Sequence, residues 1–376
     1  MAEYKTLVKK IPVSPDKKTK QKDYLKKGQL PIVDQGQSLV GGYTDDANMT
    51  VECELPVIVF GDHTRAVKYI TFPFGAGADG IKVLQPKENI LPPFLYYGTQ
   101  YIVAKMPNRG YARHYQYVEK EDLPVPSLPE QERIVARIEE LFSQLDAGVE
   151  TLKKTKAQLA VYRQAVLKEA FESVIPESDT CNVEDVCKDI KVGIVIKPAQ
   201  YYTSADVGVR AFRSANVREF AVNDSDWVYL TKAGHEANLR SEIHTGDVLV
   251  VRSGYPGTAC VVPPTYNGCN AIDILIAVPY AEKILPEYLC AYTNSPLGKR
   301  IIQEKKRGVA QAHFNVSGYS KTPIIVPCLE TQKRVVAEID SRLSVCDSIE
   351  QTVDTALQQA EAMRQSILKD AFEGRL

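Results

Sequence analysis

At 376 residues, with 44% apolar and 25% charged residues, the chain exceeds what one hydrophobic core usually serves, so two or more globular domains are expected. A formal net charge of −1 says little about nucleic acid, and eight cysteines without a C-x-x-C pair argue against a zinc site or a disulfide framework. No stretch reaches the roughly 20 apolar residues of a membrane helix, and no signal peptide is visible, so we expect a cytoplasmic protein without membrane contact or metal.

Residues 1–125 form the first predicted domain, here called the first head. Short apolar and β-branched runs separated by turn residues predict strands at 56–60, 67–72 and 80–84. Pro92 and Pro93 then favour the first turn of a helix packed against the sheet. The early lysines, Lys17, Lys18, Lys20 and Lys22, are interpreted as a mobile solvated segment in preference to a specific contact.

Residues 126–172 are predicted to form one long helix, because no proline follows Pro129 and Glu, Lys, Gln, Leu and Ala dominate. About 44 helical residues would extend about 65 Å. Apolar residues recur at alternating three- and four-residue spacing, which predicts a stripe that pairs with another helix. The stripe consists of Ile138, Leu145, Leu152, Leu159 and Val166.

Residues 173–326, the second head, repeat this pattern of strands with little sequence identity. Strands are predicted at 208–212, 247–252, 259–262 and 271–278, and Pro286 favours the start of a helix after them. Residues 327–376 are again helical. Their pairing stripe includes Ile339, Val353, Met363 and Ile367.

The two helical segments are copies of each other. Residues 126–172 set against 327–373, at a constant offset of 201 and without a gap, match at 18 of 47 positions. A repeat at this spacing indicates a duplicated domain. We therefore predict an α+β (mixed α/β) fold: two strand-rich heads separated by two long helices, paired as an antiparallel coiled coil with pseudo-two-fold symmetry. Dimerisation of the helices between chains is the alternative.

Several motifs together resemble the specificity (S) subunits of type I restriction-modification systems. They are P-x-L-P-E-Q-E-R-I-V-A-R-I at 126–138, P-x-L-E-T-Q-K-R-V-V-A-E-I at 327–339, the closing L-K-E-A-F-E and L-K-D-A-F-E-G-R-L, and G-D-V-L-V-V-R-S-G at 246–254. The last motif has only a blurred counterpart, residues 55–65, in the first head. The resemblance covers nearly the whole chain in the expected order.

The resemblance implies a subunit that reads a bipartite double-stranded DNA sequence, one half with each target-recognition domain. The paired helices would set the spacer between the halves. It also implies two methyltransferase (M) subunits that carry S-adenosylmethionine, and restriction (R) subunits that use ATP and Mg. No cofactor is expected in this chain.

The chain is predicted to be non-catalytic. An adenine methyltransferase needs Asn or Asp before Pro-Pro-Phe/Tyr, and here Leu91 occupies that position. No G-x-x-x-x-G-K-[ST] phosphate loop is present, and the five histidines have no evident nucleophile beside them.

Candidate DNA-binding residues fall in both heads. A basic run that leads into a polar loop suits phosphate contacts followed by base contacts, although a solvated helix end explains it equally well. That run contains Lys299, Arg300, Lys305, Lys306, Arg307, Gln311, His313 and Asn315. Arg252 and Ser253 follow a predicted strand of the second head. In the first head the candidates are His63, Arg65, Lys68, Arg109, Tyr111 and Arg113.

Both helices begin with a related tripeptide, Gln131-Glu132-Arg133 and Gln332-Lys333-Arg334. Fixing the joint between head and helix is the preferred explanation, and binding an M subunit at each copy is compatible with it. The rival function is a coiled-coil adaptor with two protein-binding heads. An enzyme rival would require S-adenosylmethionine binding or metal-dependent cutting by this chain.

Overall fold

The computed structural model describes residues 1–77, 80–107, 110–175, 178–306 and 314–376. The backbone divides into two compact units: unit 1 comprises residues 1–153 with 354–376, and unit 2 comprises residues 154–353. Each unit contains one head and a part of each long helix. Within the described ranges, no helix combines the length and the hydropathy that a membrane crossing requires.

The first head consists of short strands with one longer helix packed on them. In chain order its elements are β1 (Ala2–Glu3), α1 (Tyr4–Leu7), β2 (Val8–Ile11), β3 (Lys18–Thr19), β4 (Leu30–Val33), β5 (Gly42–Thr44), β6 (Val57–Gly61), β7 (Val67–Ile70), β8 (Gly75–Gly77), β9 (Ile81–Pro86), α2 (Pro92–Lys105), α3 (Tyr115–Val118) and β10 (Asp122–Leu123). α2 begins at the two prolines, as predicted, and buries Phe94, Leu95 and Ile102 at helical spacing.

The second head follows α4 (Leu128–Glu172) and precedes α10 (Leu329–Phe372). Its elements are β11 (Asp179–Asn182), α5 (Val183–Val186), β12 (Cys187–Val192), β13 (Tyr202–Thr203), β14 (Val209–Phe212), β15 (Val217–Arg218), β16 (Ala221–Val222), β17 (Val228–Leu230), α6 (Lys232–Glu236), β18 (Val248–Val251), β19 (Ala259–Val261), β20 (Asn270–Ala271), β21 (Ile274–Pro279), α7 (Pro286–Asn294), α8 (Pro296–Lys306), α9 (Val316–Ser320) and β22 (Pro323–Val326).

One sheet has the same strand order in both heads. It runs β2-β9-β6-β7 in the first head and β12-β21-β18-β19 in the second, with antiparallel pairing throughout. The central strands β6 and β18 are buried along their whole length, which explains their unbroken apolar sequences. The predicted α+β class and strand-rich heads are therefore confirmed.

The second sheet differs between the heads. Both copies keep one parallel pair, β4 with β8 and β14 with β20, and one antiparallel neighbour, β5 or β17. The first short strand of this sheet, however, joins a different edge in each head. β3 pairs with β8 in the first head, whereas β13 pairs with β17 in the second. The second head also carries the hairpin β15–β16.

Within each unit the long helices run antiparallel. In unit 1, Asp146 on α4 pairs with Arg364 on α10. In unit 2, Arg163 on α4 lies 2.6 Å from Asp347 on α10. These two ion pairs are the same pair twice, because Arg163 matches Arg364 and Asp146 matches Asp347 at the offset of 201. The duplication therefore extends from sequence to side-chain contacts.

Most predicted pairing residues lie on the inner side of the helices. Ile138, Leu159, Val166, Ile339 and Val353 are buried. Leu145, Leu152 and Ile367 are half-buried.

The prediction for Met363 is wrong, because its side chain is 55% exposed. The neighbouring Arg364 occupies the seam instead, with its guanidinium carbon 4.2 Å from the centre of the Phe142 ring. The aliphatic stem of an arginine covers apolar surface while its charge reaches Asp146 at the edge.

A buried glutamine fixes the start of each long helix. Gln131 accepts a hydrogen bond from the backbone N–H of Leu91 at 2.8 Å and donates to the carbonyls of Asn89 and Pro126, both at 3.0 Å. Gln332 accepts from Leu285 N–H and donates to the carbonyls of Lys283 and Pro327, all at 2.9 Å. Both glutamines are 0% exposed, so the joint alone accounts for a glutamine in both copies.

Candidate nucleic-acid interface

A groove of about 790 Å³ opens on the first head beside the segment that follows β4. Lys18 on β3 and Lys20 just after it stand on one side, and the ring of Tyr111 stands on another. Asp34, Gln35 and Gly36 complete the segment after β4. The lining residues are Pro15, Lys18, Lys20, Gln21, Tyr24, Asp34, Gln35, Gly36 and Tyr111.

The lining of this first groove is rigidly held at Asp34. The Lys68 ammonium donates to the Asp34 carbonyl oxygen at 2.7 Å and lies 3.5 Å from its carboxylate, which also accepts from Gly36 N–H at 2.9 Å. Burial and then the Asp34 carboxylate raise the pKa of Tyr24 to about 12, so its hydroxyl stays protonated and can donate. The segment is thus fixed before any ligand arrives.

An aromatic stack borders the first groove. The rings of His63 and Tyr111 lie 4.3 Å apart and 4° from parallel, and Tyr111 is 84% exposed. The His63 Nδ1 is 3.2 Å from the Ala112 carbonyl oxygen, which places a proton on Nδ1. This arrangement offers a flat apolar face beside polar groups, as a base or sugar requires.

A second groove, of about 920 Å³, lies on the second head between the segment after β14 and the turn from β18 to β19. Arg218, Lys299 and Tyr255 are among its lining residues, and the Lys299 ammonium pairs with Glu219. The turn exposes 85% of Tyr255, and glycines with φ of +82° and +90° at positions 254 and 257 give the turn its shape.

The two grooves share one equivalent wall, the segment that follows β4 in the first head and β14 in the second. Val33 at the end of β4 pairs with Ala76 on β8, as Phe212 at the end of β14 pairs with Ala271 on β20. Asp34 and Gln35 therefore correspond to Arg213 and Ser214. The turns from β6 to β7 and from β18 to β19 also correspond. The same scaffold thus presents different side chains in the two heads.

The candidates of the first head have different placements. His63 and Tyr111 lie at the groove, and Arg113 is exposed. Arg65 has a positive φ of 61° and donates to the Met106 carbonyl oxygen at 3.3 Å. Arg109 lies outside the described residues.

Lys68 is not a surface contact, contrary to its selection as a DNA-binding residue. Its side chain is 4% exposed, and burial lowers its pKa, an effect that Asp34 partly opposes. The period of the strand explains this, because neighbouring residues of β7 point to opposite faces and Lys68 points inward. It acts as the anchor of Asp34.

The candidates of the second head are also distributed. Arg252 is 14% exposed and pairs with Asp273 at 3.2 Å, while the Ser253 hydroxyl lies 3.4 Å from the same carboxylate. Lys299 lies in the groove, and Arg300 is exposed on α8.

Asn315 caps α9 by accepting from Gly318 N–H at 2.8 Å. The side chains of Lys305 and Lys306, together with Arg307, Gln311 and His313, lie outside the described part of the chain.

Sequence reasoning selected only Tyr111 among the nine lining residues of the first groove, and Lys18, Lys20 and Gln35 are among those it did not select. Lys18 is part of β3 and pairs with Ala76, so this lysine belongs to a sheet, whereas Lys20 and Lys22 are exposed, as in the predicted solvated segment. Gln35 carries no sequence signal, because only the pairing of β4 with β8 brings it to the groove. The sequence Lys18-Thr19-Lys20 contained one hint, because its two lysines are spaced at the two-residue period of a strand and so lie on the same face.

Comparison with known proteins finds similarity to one group of proteins. The family model for the type I restriction modification DNA specificity domain matches residues 10–160. The type I restriction enzyme EcoBI specificity subunit of Escherichia coli is 25% identical over 373 residues, covering 90% of this chain and 74% of that protein. The corresponding EcoR124I/EcoR124II subunit, also of Escherichia coli, is 24% identical and covers 88% and 83%.

In sequence the chain is similar to the specificity subunits of type I restriction-modification systems. Two solved structures share its fold. A chain from a study of complex assembly and conformational transition of the type I R-M system covers all of this chain and 97% of its own length, with a TM-score of 0.71 and 16% identity. The HsdS subunit from Thermoanaerobacter tengcongensis covers 100% and 96%, with a TM-score of 0.52 and 18% identity.

Proposed function

We propose that this specificity subunit reads a bipartite DNA target, one half with each groove. The observation that carries the proposal is that each head has a groove beside the segment after the equivalent strand, β4 or β14, and that these segments present unlike side chains. Asp34 and Gln35 face the groove of the first head where Arg213 and Ser214 follow β14 in the second. Equivalent segments that present unlike side chains suit two different half-sites.

The reactions themselves belong, in this proposal, to partner subunits. The chain contains neither the polar residue before Pro-Pro-Phe that adenine methylation needs nor a phosphate loop for ATP. Methylation with S-adenosylmethionine would be performed by two M subunits, and ATP- and Mg-dependent cleavage by R subunits. The role of this chain is to place them on DNA in the cytoplasm.

The outward faces of the long helices are the proposed docking surfaces for the M subunits. Of the 18 identical pairs between the helical copies, eight are exposed in both. One of these, Asp146 and Asp347, is explained by its ion pair with arginine. The other seven are represented on α4 by Arg133, Ala136, Ser143, Thr151, Gln158, Lys168 and Glu172.

These seven positions fall within an arc of about 100° around the helix, on the side opposite the seam. Packing in the seam does not account for their identity, because they lie outside the seam. One of the seven, Arg133, donates a hydrogen bond toward the other helical segment, to the Leu376 carbonyl oxygen beyond the end of α10. An identical face on each helix suits one kind of partner bound twice, which is the stoichiometry proposed for the M subunits.

Exchange of the second head tests the proposed reading function. Residues 173–326 are replaced by the corresponding head of a specificity subunit with a different target, and DNA exposed to the chain with its M subunit is sequenced for methylated adenines. We expect one half of the target to change, while the other half and the spacer stay the same. Exchange of the first head is the matched control and should change the other half.

A protein-binding adaptor predicts a different result. If the chain, alone and with its M subunit, shows no sequence-selective binding in a gel shift, DNA reading is excluded and the adaptor function is favoured. A target that changes in both halves after one exchange would contradict separate reading by the two heads.

A further inference from the structure

Gln35 in the first groove has an unusual buried atom. Its side-chain oxygen Oε1 is buried and makes no hydrogen bond to any described residue. Buried acceptors in proteins are nearly always paired, so an unpaired one needs an explanation. Gln35 lines the groove, which makes a ligand the candidate partner.

The backbone around Gln35 is held on both sides. The Thr64 hydroxyl, from the turn after β6, donates to the Gln35 carbonyl. The preceding Asp34 is tied to the Lys68 ammonium. Reading residues are effective when their backbone is positioned in advance, and these contacts position it.

Two glycines leave the space that Gln35 occupies. A Cβ at Gly61 would lie 3.0 Å from the Gln35 carbonyl oxygen, and a Cβ at Gly80 would lie 2.5 Å from its side-chain oxygen. Gly80 also has a φ of +72°, which favours glycine. A larger residue at Gly80 would meet the Gln35 amide, whereas one at Gly61 would first meet the Thr64 hydroxyl that donates to Gln35.

Rotation of the amide toward the groove breaks no hydrogen bond between Oε1 and any residue that the structure describes. An amide offers an acceptor and a donor side by side, which matches the N6 amine and the N7 atom of adenine in the major groove. Lys18 and Lys20 stand nearby for the flanking phosphates, and Tyr111 provides an exposed ring.

We propose that Gln35 reads the major-groove edge of one adenine in the half-site bound by the first head. This inference rests on the proposed function of the grooves. At the corresponding position the second head carries Ser214, which cannot bridge both adenine atoms. The second half-site therefore lacks this particular contact.

The experiment combines a protein variant with a modified base. Binding of the full chain with its M subunit is measured by fluorescence anisotropy on target duplexes in which each adenine of the first half is replaced in turn by 7-deazaadenine. At one adenine the wild type should lose affinity by about tenfold to a hundredfold. Gln35→Ala should show that loss on the unmodified duplex and no further loss on the modified one.

Gln37→Ala is the matched control, because Gln37 is an exposed glutamine two residues along the same segment. It should keep the wild-type response to 7-deazaadenine. The Gln35→Ala variant should still discriminate between bases in the second half-site, and this retained selectivity is the control that it is folded. If Gln35→Ala retains the wild-type response, or if no adenine of the first half depends on N7, the inference is wrong while the proposed function stands. Absence of selective binding by the wild type would remove the proposed function itself.

Discussion

The helices and the heads of this protein have diverged to different extents since the duplication. The helix starts keep the same glutamine with the same three hydrogen bonds, and the helix ends keep a buried phenylalanine, Phe171 or Phe372, against the aromatic residues of a head. Burial of such a ring stabilises by about 1.5–3 kcal/mol. Positions that hold the scaffold together therefore stayed alike.

The heads differ at the residues that support the grooves. Lys68 on β7 and Cys260 on β19 occupy equivalent positions in their hairpins. Each belongs to the second residue pair from the turn, with Lys68 opposite Val59 and Cys260 opposite Leu249. A buried ammonium that anchors Asp34 in the first head is thus replaced by a buried thiol in the second. The comparison teaches that divergence in the heads is not confined to exposed residues and reaches the buried side chains of the sheet.

Alkaline pH should separate the two units most strongly. In unit 2, burial raises the pKa of Cys187 and Cys260 to about 12 and of Cys269 to about 11, and raises that of Cys290 further. The folded state keeps these protons above the ordinary thiol pKa of 9.0, whereas the unfolded state loses them. The stabilisation from these buried thiols is fully present when the pH is below the ordinary thiol pKa. Above it, the free energy of unfolding falls by about 1.4 kcal/mol per pH unit for each thiol.

Unit 1 contains only one thiol with a raised pKa, the half-buried Cys53. Denaturation curves are recorded at pH values from about 8 to 10 under reducing conditions, with the fluorescence of the single tryptophan, Trp227, as the signal of unfolding. They should show the loss of stability in unit 2. Cys260→Ala should make the loss shallower, and Cys328→Ser, at an exposed thiol, should not. A Trp227→Phe, Tyr111→Trp variant reports on unit 1. Equal losses in both units would contradict the contrast between the heads.

The buried glutamines test whether the scaffold is equivalent in the two copies. Gln131→Ala and Gln332→Ala each leave buried backbone groups unpaired, which should lower the free energy of unfolding by about 2–4 kcal/mol. Urea denaturation measures both values, and they should agree to within about 1 kcal/mol. The exposed neighbours provide the controls, since Glu132→Ala and Lys333→Ala should change stability by less than about 0.5 kcal/mol.

The smallest expected effect concerns the outward faces of the helices. Thr151→Arg and Thr352→Arg place a long side chain on the identical face of α4 or α10, and each should weaken one of the two proposed M-subunit sites by about tenfold. Titration calorimetry with the M subunit measures this as the loss of one strong site. Ala160→Arg, exposed but off that face, should leave both sites intact. Effects confined to one helix would argue against a partner bound twice.

Much of the fold could be predicted because its signals are local. Strands were predicted at 56–60 and 247–252, and the structure has them at Val57–Gly61 and Val248–Val251. The heptad pattern identified the helices, and it misplaced Met363 because a periodicity of apolar letters cannot register an arginine whose stem enters the seam.

The candidate site was predicted less completely. His63, Tyr111 and Lys299 were selected as polar or aromatic residues near predicted turns, and all three lie at a groove. Lys68 was selected on the same grounds and is buried. Charge alone could not distinguish these residues, because the face on which a strand residue lies depends on which sheet surface is covered.

The amino-acid sequence by itself determined the duplication, the two helices and the presence of two different strand-rich heads, because periodicity and identity at a constant offset are properties of the chain. Only the tertiary structure decided what each groove displays. Gln35 reaches the groove because β4 pairs in parallel with β8, about forty residues further along, and Asp34 beside it is held by Lys68. Such contacts depend on which strands become neighbours, and that is settled by the packing of the whole head.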